Sequence, residues 1–411
     1  MAGWTLPMQF DIRVVEVGSP LSDDFRSLLE PVSSTATAWD DAGAVGATFD
    51  TPPDIGFETN PVAAGIMPLR PALSGRFAGV LLDPAQNNIF RVLNAVWEHG
   101  GEVRFIPGTA GEGSHPGESG MYLSTGLSES VQNGLLVDYA IVGHRGAPEG
   151  IALPKPRIGL YDPWGGSMDA GWTRWVLDIY GFDYTVIRPG DVRAGSLGER
   201  FDVIILSDIR SGQILNGMAK GSIPERYVGG IGTSGVRAID TFVHEGGTLV
   251  CMNGSCAFAI DELDLPVRDV TGDAPRGELF LSSSILAAVA DPHHPVMAGM
   301  PANAKIFAGR SPVFTTEEGF RGSAILKYED SRSPLLSGYL MGDEHIRGYA
   351  AALDVHVGGG HVVLLGFQPQ WRGQPFGTFR VLMNAALYHG QVAATATGSP
   401  GFWSPPEKEE K

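Results

Sequence analysis

Only two cysteines occur in 411 residues, Cys251 and Cys256, and their five-residue separation matches no zinc-ligand spacing and closes no loop worth a disulfide. Sulfur therefore leaves the redox compartment open. Basic charge is also scarce: 29 Lys and Arg stand against 46 Asp and Glu, a formal charge of −17. Such a surface repels phosphate backbones and anionic lipid, so nucleic acid is not an expected partner. No apolar run approaches the ~18 residues of a membrane helix. The opening MAGWTLPMQFDIRVVEV has neither the basic start nor the unbroken apolar stretch of a secretory signal. As given, the chain reads as soluble, without a membrane span. Its abrupt, strand-like start suggests the downstream part of something longer, secreted or periplasmic in that case and cytoplasmic if Met1 is the true start.

What is present is a globular composition, 43% hydrophobic and 18% charged, in a chain long enough for two domains. Residues 10–18, FDIRVVEVG, read as a strand, followed to about residue 60 by loops and short strands rich in Ser, Thr, Pro, Gly and Asp. FAGVLLD and EVRFIPG are strands around a helix with apolar positions Ile89, Val92, Leu93, Val96 and Trp97, a compact β-α-β piece. A polar Gly-rich loop over 108–120 and the strand-like MYLSTG complete this region. The prolines at 154–156 mark the expected boundary, giving an N-terminal α/β region over 1–153 and a second domain over 154–392. In the second domain, RIGLYDP, YTVIRP, FDVIILSD and GTLVCMN read as strands separated by helical patterns, which implies parallel pairing through right-handed crossovers. A hairpin around Gly358 to Gly360 adds to that sheet, and a helix with Phe379, Leu382, Met383, Ala386 and Leu387 on one stripe covers it. The tail over 393–411, ending SPPEKEEK, is expected to be disordered.

Open parallel sheets bind ligands at the carboxyl ends of their strands. Those ends carry Asp162 to Ser167, Ser207 to Ser211, Asn253 to Cys256 and Gln368 to Arg372. The candidate ligand-binding residues are therefore Trp164, Gly165, Gly166, Ser167, Asp208, Asn253, Ser255, Gln370, Trp371 and Arg372. The turn DPWGGSMD has neither the glycine spacing of a dinucleotide fingerprint nor the lysine of a P-loop. Met168, Trp172, Trp175, Val176 and Ile179 form an apolar stripe behind it, with Ser167 as N-cap and Gly181 as C-cap, so the turn starts a fold more readily than it cradles a phosphate. Gly254-Ser255-Cys256 sits where a nucleophile elbow projects its side chain, which makes Cys256 an alternative nucleophile. Its base would come from His293, His294, His356 or His361, with His361 preferred. Two H-x-x-E matches, His99 with Glu102 and His115 with Glu118, lack a third ligand and a base in their flanks. The adjacent histidines of DPHHPVMAGMP, residues 291–301, read as turn chemistry.

The opening GWTLP, the segment PRIGLYDPWGGSMDAGWTRWVLDIYGF, the YVGGIG loop with FVHEGGTLV, HPVMAGMP, and LLGFQPQWRGQPFGTFRVLMNAALYHG resemble the C-terminal, non-catalytic region of large bacterial carboxypeptidase A-like zinc peptidases, metallopeptidase family fourteen. The resemblance is most specific over residues 157–390. It implies a flavodoxin-like domain similar to class I glutamine amidotransferases, preceded by a smaller α/β region, with the zinc site in a separate upstream peptidase domain. No catalytic or metal residue is carried over, and no cofactor is expected in this chain. The implied function is accessory or binding, the partner being a peptidase domain in cis or a small-molecule or peptide ligand. The alternatives are a cysteine-dependent hydrolase or amidotransferase using Cys256, and a zinc metallocarboxypeptidase acting in proteolysis.

Overall fold

The computed structural model describes residues 6–10, 73, 75–108, 120–146, 149–275 and 277–406. The strand expected over 10–18 lies outside them from residue 11 on, as do the short strands up to residue 60, the loop over 109–119 and the His115–Glu118 pair. A single helical turn, Leu6–Gln9, precedes that gap. Among the described residues no helix is long and apolar enough to cross a membrane.

The first layer is a five-stranded antiparallel sheet of β1 (Gly79–Leu82), β2 (Glu102–Ile106), β3 (Met121–Thr125), β4 (Gly143–Gly146) and β5 (Ile151–Leu153), in the order β4-β1-β3-β2-β5. The expected β-α-β piece is present but split, because β3 lies between β1 and β2 and runs antiparallel to both. Its helix α1 (Ile89–Glu98) buries Ile89, Val92, Leu93 and Val96, the stripe legible in the sequence. The helix α2 (Glu129–Asp138) is capped by the Ser128 hydroxyl, which accepts from the Val131 amide.

The second layer is a 12-stranded mixed sheet. Its parallel half contains β6 (Ile158–Tyr161), β7 (Tyr184–Ile187), β8 (Val203–Leu206), β9 (Thr248–Met252) and, further along the chain, the strand Gly360–Leu365. β6, β8 and β9 are buried at every position, because both faces of this half are covered, and their sequences are accordingly unbroken apolar runs rather than alternating ones. The antiparallel half contains β10 (Ser284–Ala290), β11 (Asn303–Ala308), β12 (Gly322–Tyr328) and β13 (Ala350–Val357). Gly360–Leu365 is β14, and the main path runs β11-β10-β12-β13-β14-β9-β8-β6-β7. The expected hairpin is β13 with β14, but it joins a large antiparallel extension rather than ending the sheet.

Two expectations are corrected by packing. The prolines at 154–156 do not separate two cores: Phe90, Leu93 and Tyr122 of the first layer share one hydrophobic cluster with Leu160, Tyr180 and Phe182 of the second. Polar bonds cross the same joint, from Asn94 Nδ2 to Tyr180 O (3.0 Å) and from the Tyr122 hydroxyl to Asn384 Oδ1 (2.8 Å). The tail is ordered as far as Pro406, with the Ser399 amide on Asp291 Oδ2 (2.7 Å) and Trp403 Nε1 on Gly348 O (2.8 Å). These part-buried anchors outweigh the polar, proline-led composition that suggested disorder.

Candidate functional site at the carboxyl edge

β7 lies on one side of β6 and β8 on the other. Successive crossovers therefore leave β6 in opposite directions, which opens a crevice beyond the carboxyl ends of β6 and β8. Asp208, just past β8, is the hub of this crevice. Its Oδ1 accepts the Gly254 amide (3.0 Å), and its Oδ2 accepts Asn253 Nδ2 and Gln368 Nε2, each at 2.9 Å. The backbone after β9 is shaped around that carboxylate. Asn253 has φ +50°, a left-handed conformation that Asn tolerates. A Cβ on Gly254 would stand 2.7 Å from Asp208 Oδ1, so any larger residue would displace the carboxylate at the hub.

The amide of Gln368 also reaches Asp169 Oδ1 at 3.4 Å, tying a second carboxyl to the first. Asp169 lies in the first turn of α3 (Met168–Ile179) and is 8% exposed. Burial first, and the negative charge of Asp208 second, push its carboxyl up to about 6, against the opposing pull of Arg372 and of the Gln368 amide. A carboxyl so placed exchanges its proton close to neutral pH. Beside it, Asn253 is 5% exposed and its Oδ1 has no hydrogen-bond partner. At the β6 end, buried Asp162 pairs with Arg174 and with Arg188 (3.1 Å), and the Arg188 guanidinium lies 4.8 Å over the Trp164 ring.

Of the residues singled out from the sequence, the structure brings Asp208 and Asn253 together and sets Arg372 in the electrostatic field of Asp169. Others serve the framework. Ser167 caps α3, its Oγ accepting the Ala170 amide (3.1 Å). Gly166 takes φ +73°, and a Cβ on Gly165 would lie 3.1 Å from Met218 Sδ. Trp164 is exposed and packs 4.7 Å from the Tyr227 ring. Ser255 is buried and bridges strands, its hydroxyl meeting Leu206 O (3.0 Å), Met252 O (2.9 Å) and the Met252 amide (2.9 Å). Gln370 is buried with its Nε2 on Thr173 Oγ1 (3.0 Å), and Trp371 stacks on Phe307 at 4.0 Å. Arg372, at φ +49°, lies 4.8 Å over the Trp371 ring. Asp169 was missed because an acidic residue in a first helical turn reads as a complement to the helix dipole. Only the tertiary approach of Asp208 and Gln368 gives it another role.

The nucleophile alternative is corrected. Cys256 is wholly buried, its Sγ facing Cys251 O (3.4 Å) and Leu365 O (3.6 Å), and burial raises its thiol well above the ordinary range. A thiol held protonated in the core is not a nucleophile. His361 lies four positions before Leu365 on β14, roughly 13 Å along an extended strand, so it cannot serve as the base. Nor do His99 and Glu102 form a metal pair: the His99 Nδ1 contacts Ala95 O (2.7 Å), while Glu102 pairs with Arg104 (3.6 Å). Gly230, Gly232 and Gly235 have dinucleotide-fingerprint spacing, but a 3-10 turn, Glu225–Tyr227, precedes them instead of a strand. Gly230 there packs against the Ile214 carbonyl, 2.3 Å from where a Cβ would stand.

No family model matches the chain, and no curated protein does. Solved structures with some similarity include Cytoplasmic Protein STM3548 from Salmonella typhimurium, at 15% identity over 57% of this chain and 98% of that one, with a TM-score of 0.37. PurLQS from Thermotoga maritima is 14% identical over 57% of this chain and 99% of that one, TM-score 0.36. The exo-beta-1,4-mannosidase Op5Man5 from Opitutaceae bacterium strain TAV5 is 11% identical over 59% of this chain but only 36% of its own, TM-score 0.33. Likenesses of this size carry no argument about activity.

Proposed function

We propose that the chain is a binding protein whose carboxyl-edge crevice takes a small polar ligand, with Asp208 fixed as an acceptor and Asp169 adjusting its protonation to the ligand. The observation that carries this reading is the carboxyl of Asp169, raised to about 6 and linked through Gln368 to Asp208. Structural ion pairs also perturb carboxyls, but this one faces the crevice where open α/β sheets take ligands. The unpartnered Asn253 Oδ1 gives a ligand donor something to meet. The strand order β7-β6-β8-β9-β14 supports a flavodoxin-like reading of the parallel half, since it is the 2-1-3-4-5 order of that fold. A peptidase domain in cis, which the sequence resemblance implies, would be a further partner of this chain.

Thermal-shift screening of the purified protein against monosaccharides, amino acids and nucleosides tests the proposal. A compound that stabilises the protein and loses its effect in both Asp208→Asn and Asp169→Asn supports it. Stabilising compounds indifferent to both substitutions, or none in the whole panel, overturn it.

A further inference from the structure

A second cluster of chemistry-bearing side chains lies at the other end of β14, roughly 20 Å along the strand direction from Gln368. Asp354 and His356 are two positions apart on β13 and so project from the same face. His361 on β14 is the direct cross-strand partner of His356, which brings it to that face as well. One ligand atom from each of the three lies within 4.8 Å of those of the other two. His361 Nδ1 is 3.0 Å from Asp354 Oδ1, and His356 Nε2 is 3.4 Å from Asp354 Oδ2. Two donors bonded at roughly 2.0–2.1 Å to a tetrahedral zinc ion stand about 3.4 Å from each other, so this spacing is already close to that of a ligand set.

The surroundings have the form of an outer support for such a set. The Tyr388 hydroxyl donates to Asp354 Oδ2 at 2.7 Å, and His294 Nε2 reaches the same oxygen at 3.2 Å. His294 Nδ1 accepts the Val296 amide (3.3 Å), which places its proton on Nε2 and makes it a donor to Asp354. With both nitrogens engaged, His294 orients the carboxylate and is not itself a ligand. Tyr388, His294 and Asp354 are all buried, whereas the His356 side chain is 40% exposed, so the cluster opens to solvent on one side only. Of the charged groups facing His356, Asp354 favours a cation there and Arg321 opposes it.

We propose that Asp354, His356 and His361 bind one divalent transition-metal ion of the zinc class, with a coordination position left open toward solvent beside His356. Two imidazoles and a carboxylate suit zinc, cobalt or nickel better than calcium or magnesium, which prefer oxygen ligands. This site is separate from the carboxyl-edge crevice and stands or falls without it. It also departs from the sequence reading, which expected no metal in this chain.

The test is direct titration of the chelator-treated full chain with zinc chloride and, for spectroscopy, with cobalt(II) chloride. One equivalent bound, with visible cobalt bands, is expected for the wild type. His356→Gln, on the exposed side, is expected to keep the fold by circular dichroism and to weaken zinc binding by at least about tenfold. Tyr388→Phe, which removes an outer donor, should weaken it by roughly tenfold as well. Asp208→Asn should bind zinc as the wild type does. Failure of the wild type to take up either metal, or unchanged affinity in a folded His356→Gln variant, would overturn the proposal.

Discussion

Burial raises both Asp169 and Cys256 at this edge of the sheet, but only the carboxyl, which the charge of Asp208 pushes up as well, is brought near neutral pH, while the thiol stays protonated. A carboxyl whose folded value, about 6, exceeds its free value of 3.8 holds its proton more tightly in the native state. Its contribution to stability is therefore full below about pH 4, declines as the pH rises to about 6, and is level above that. The decline amounts to on the order of 2–3 kcal/mol. Asp169→Asn keeps an oxygen for the Gln368 amide and removes the ionisation. Its urea-unfolding free energy should match the wild type near pH 4 and exceed it at pH 7; equal differences at both values would contradict the raised carboxyl. Cys256 cannot respond in this way, because its thiol is sealed between two carbonyls. Native protein should fail to react with a thiol reagent on the timescale of minutes, and Cys256→Ala should cost about 1 kcal/mol of stability in chemical denaturation. Rapid labelling of Cys256 in the folded state would restore it as a candidate nucleophile.

Elements were legible where their burial leaves a one-dimensional trace. β6, β8 and β9 read as unbroken apolar runs because both faces are covered, and α1 reads from its apolar stripe. α3 reads from its serine cap, but its expected stripe is not its buried face: Val176 is buried with Ala170, Thr173 and Leu177, while Met168 and Trp175 are exposed. The strands β10, β11 and β12 left less trace, because they pair antiparallel with register shifts, as between β12 and β13, and carry buried positions on both faces. The hairpin β13/β14 was visible from its glycines, yet the shared face of Asp354, His356 and His361 follows only once the register is fixed. That register depends on Gly358, which takes φ +59° and whose Cβ would stand 2.7 Å from the His244 backbone. Gly358→Ala combines left-handed strain with that clash, and a loss of roughly 2 kcal/mol in thermal or chemical unfolding is expected. Because the same turn sets His361 opposite His356, zinc affinity should fall with it; a variant as stable as wild type would show that the turn does not hold the register.

At the scale of the molecule, the decisive fact is that the two sheets share a core, which composition at the 154–156 joint could not reveal. Proline marks a stiff connection whether the segments it joins pack against each other or not. Asn384, in the helix α4 (Phe379–Ala386), is the polar pin of the shared interface. It accepts the Tyr122 hydroxyl from β3 (2.8 Å) and donates to Val296 O (3.2 Å) and Ala298 O (2.8 Å), and it is 2% exposed. Asn384→Ala strands one buried hydroxyl and two buried carbonyls at once, a loss of roughly 2–4 kcal/mol. If the layers fold as one unit, hydrogen exchange will quicken together in β3 and in β6, and the melting of both will shift to lower temperature in concert. Two independent domains would respond differently: the variant would loosen the part containing α4 while protection in β1 and β2, far along the chain from Asn384, stayed at its wild-type level.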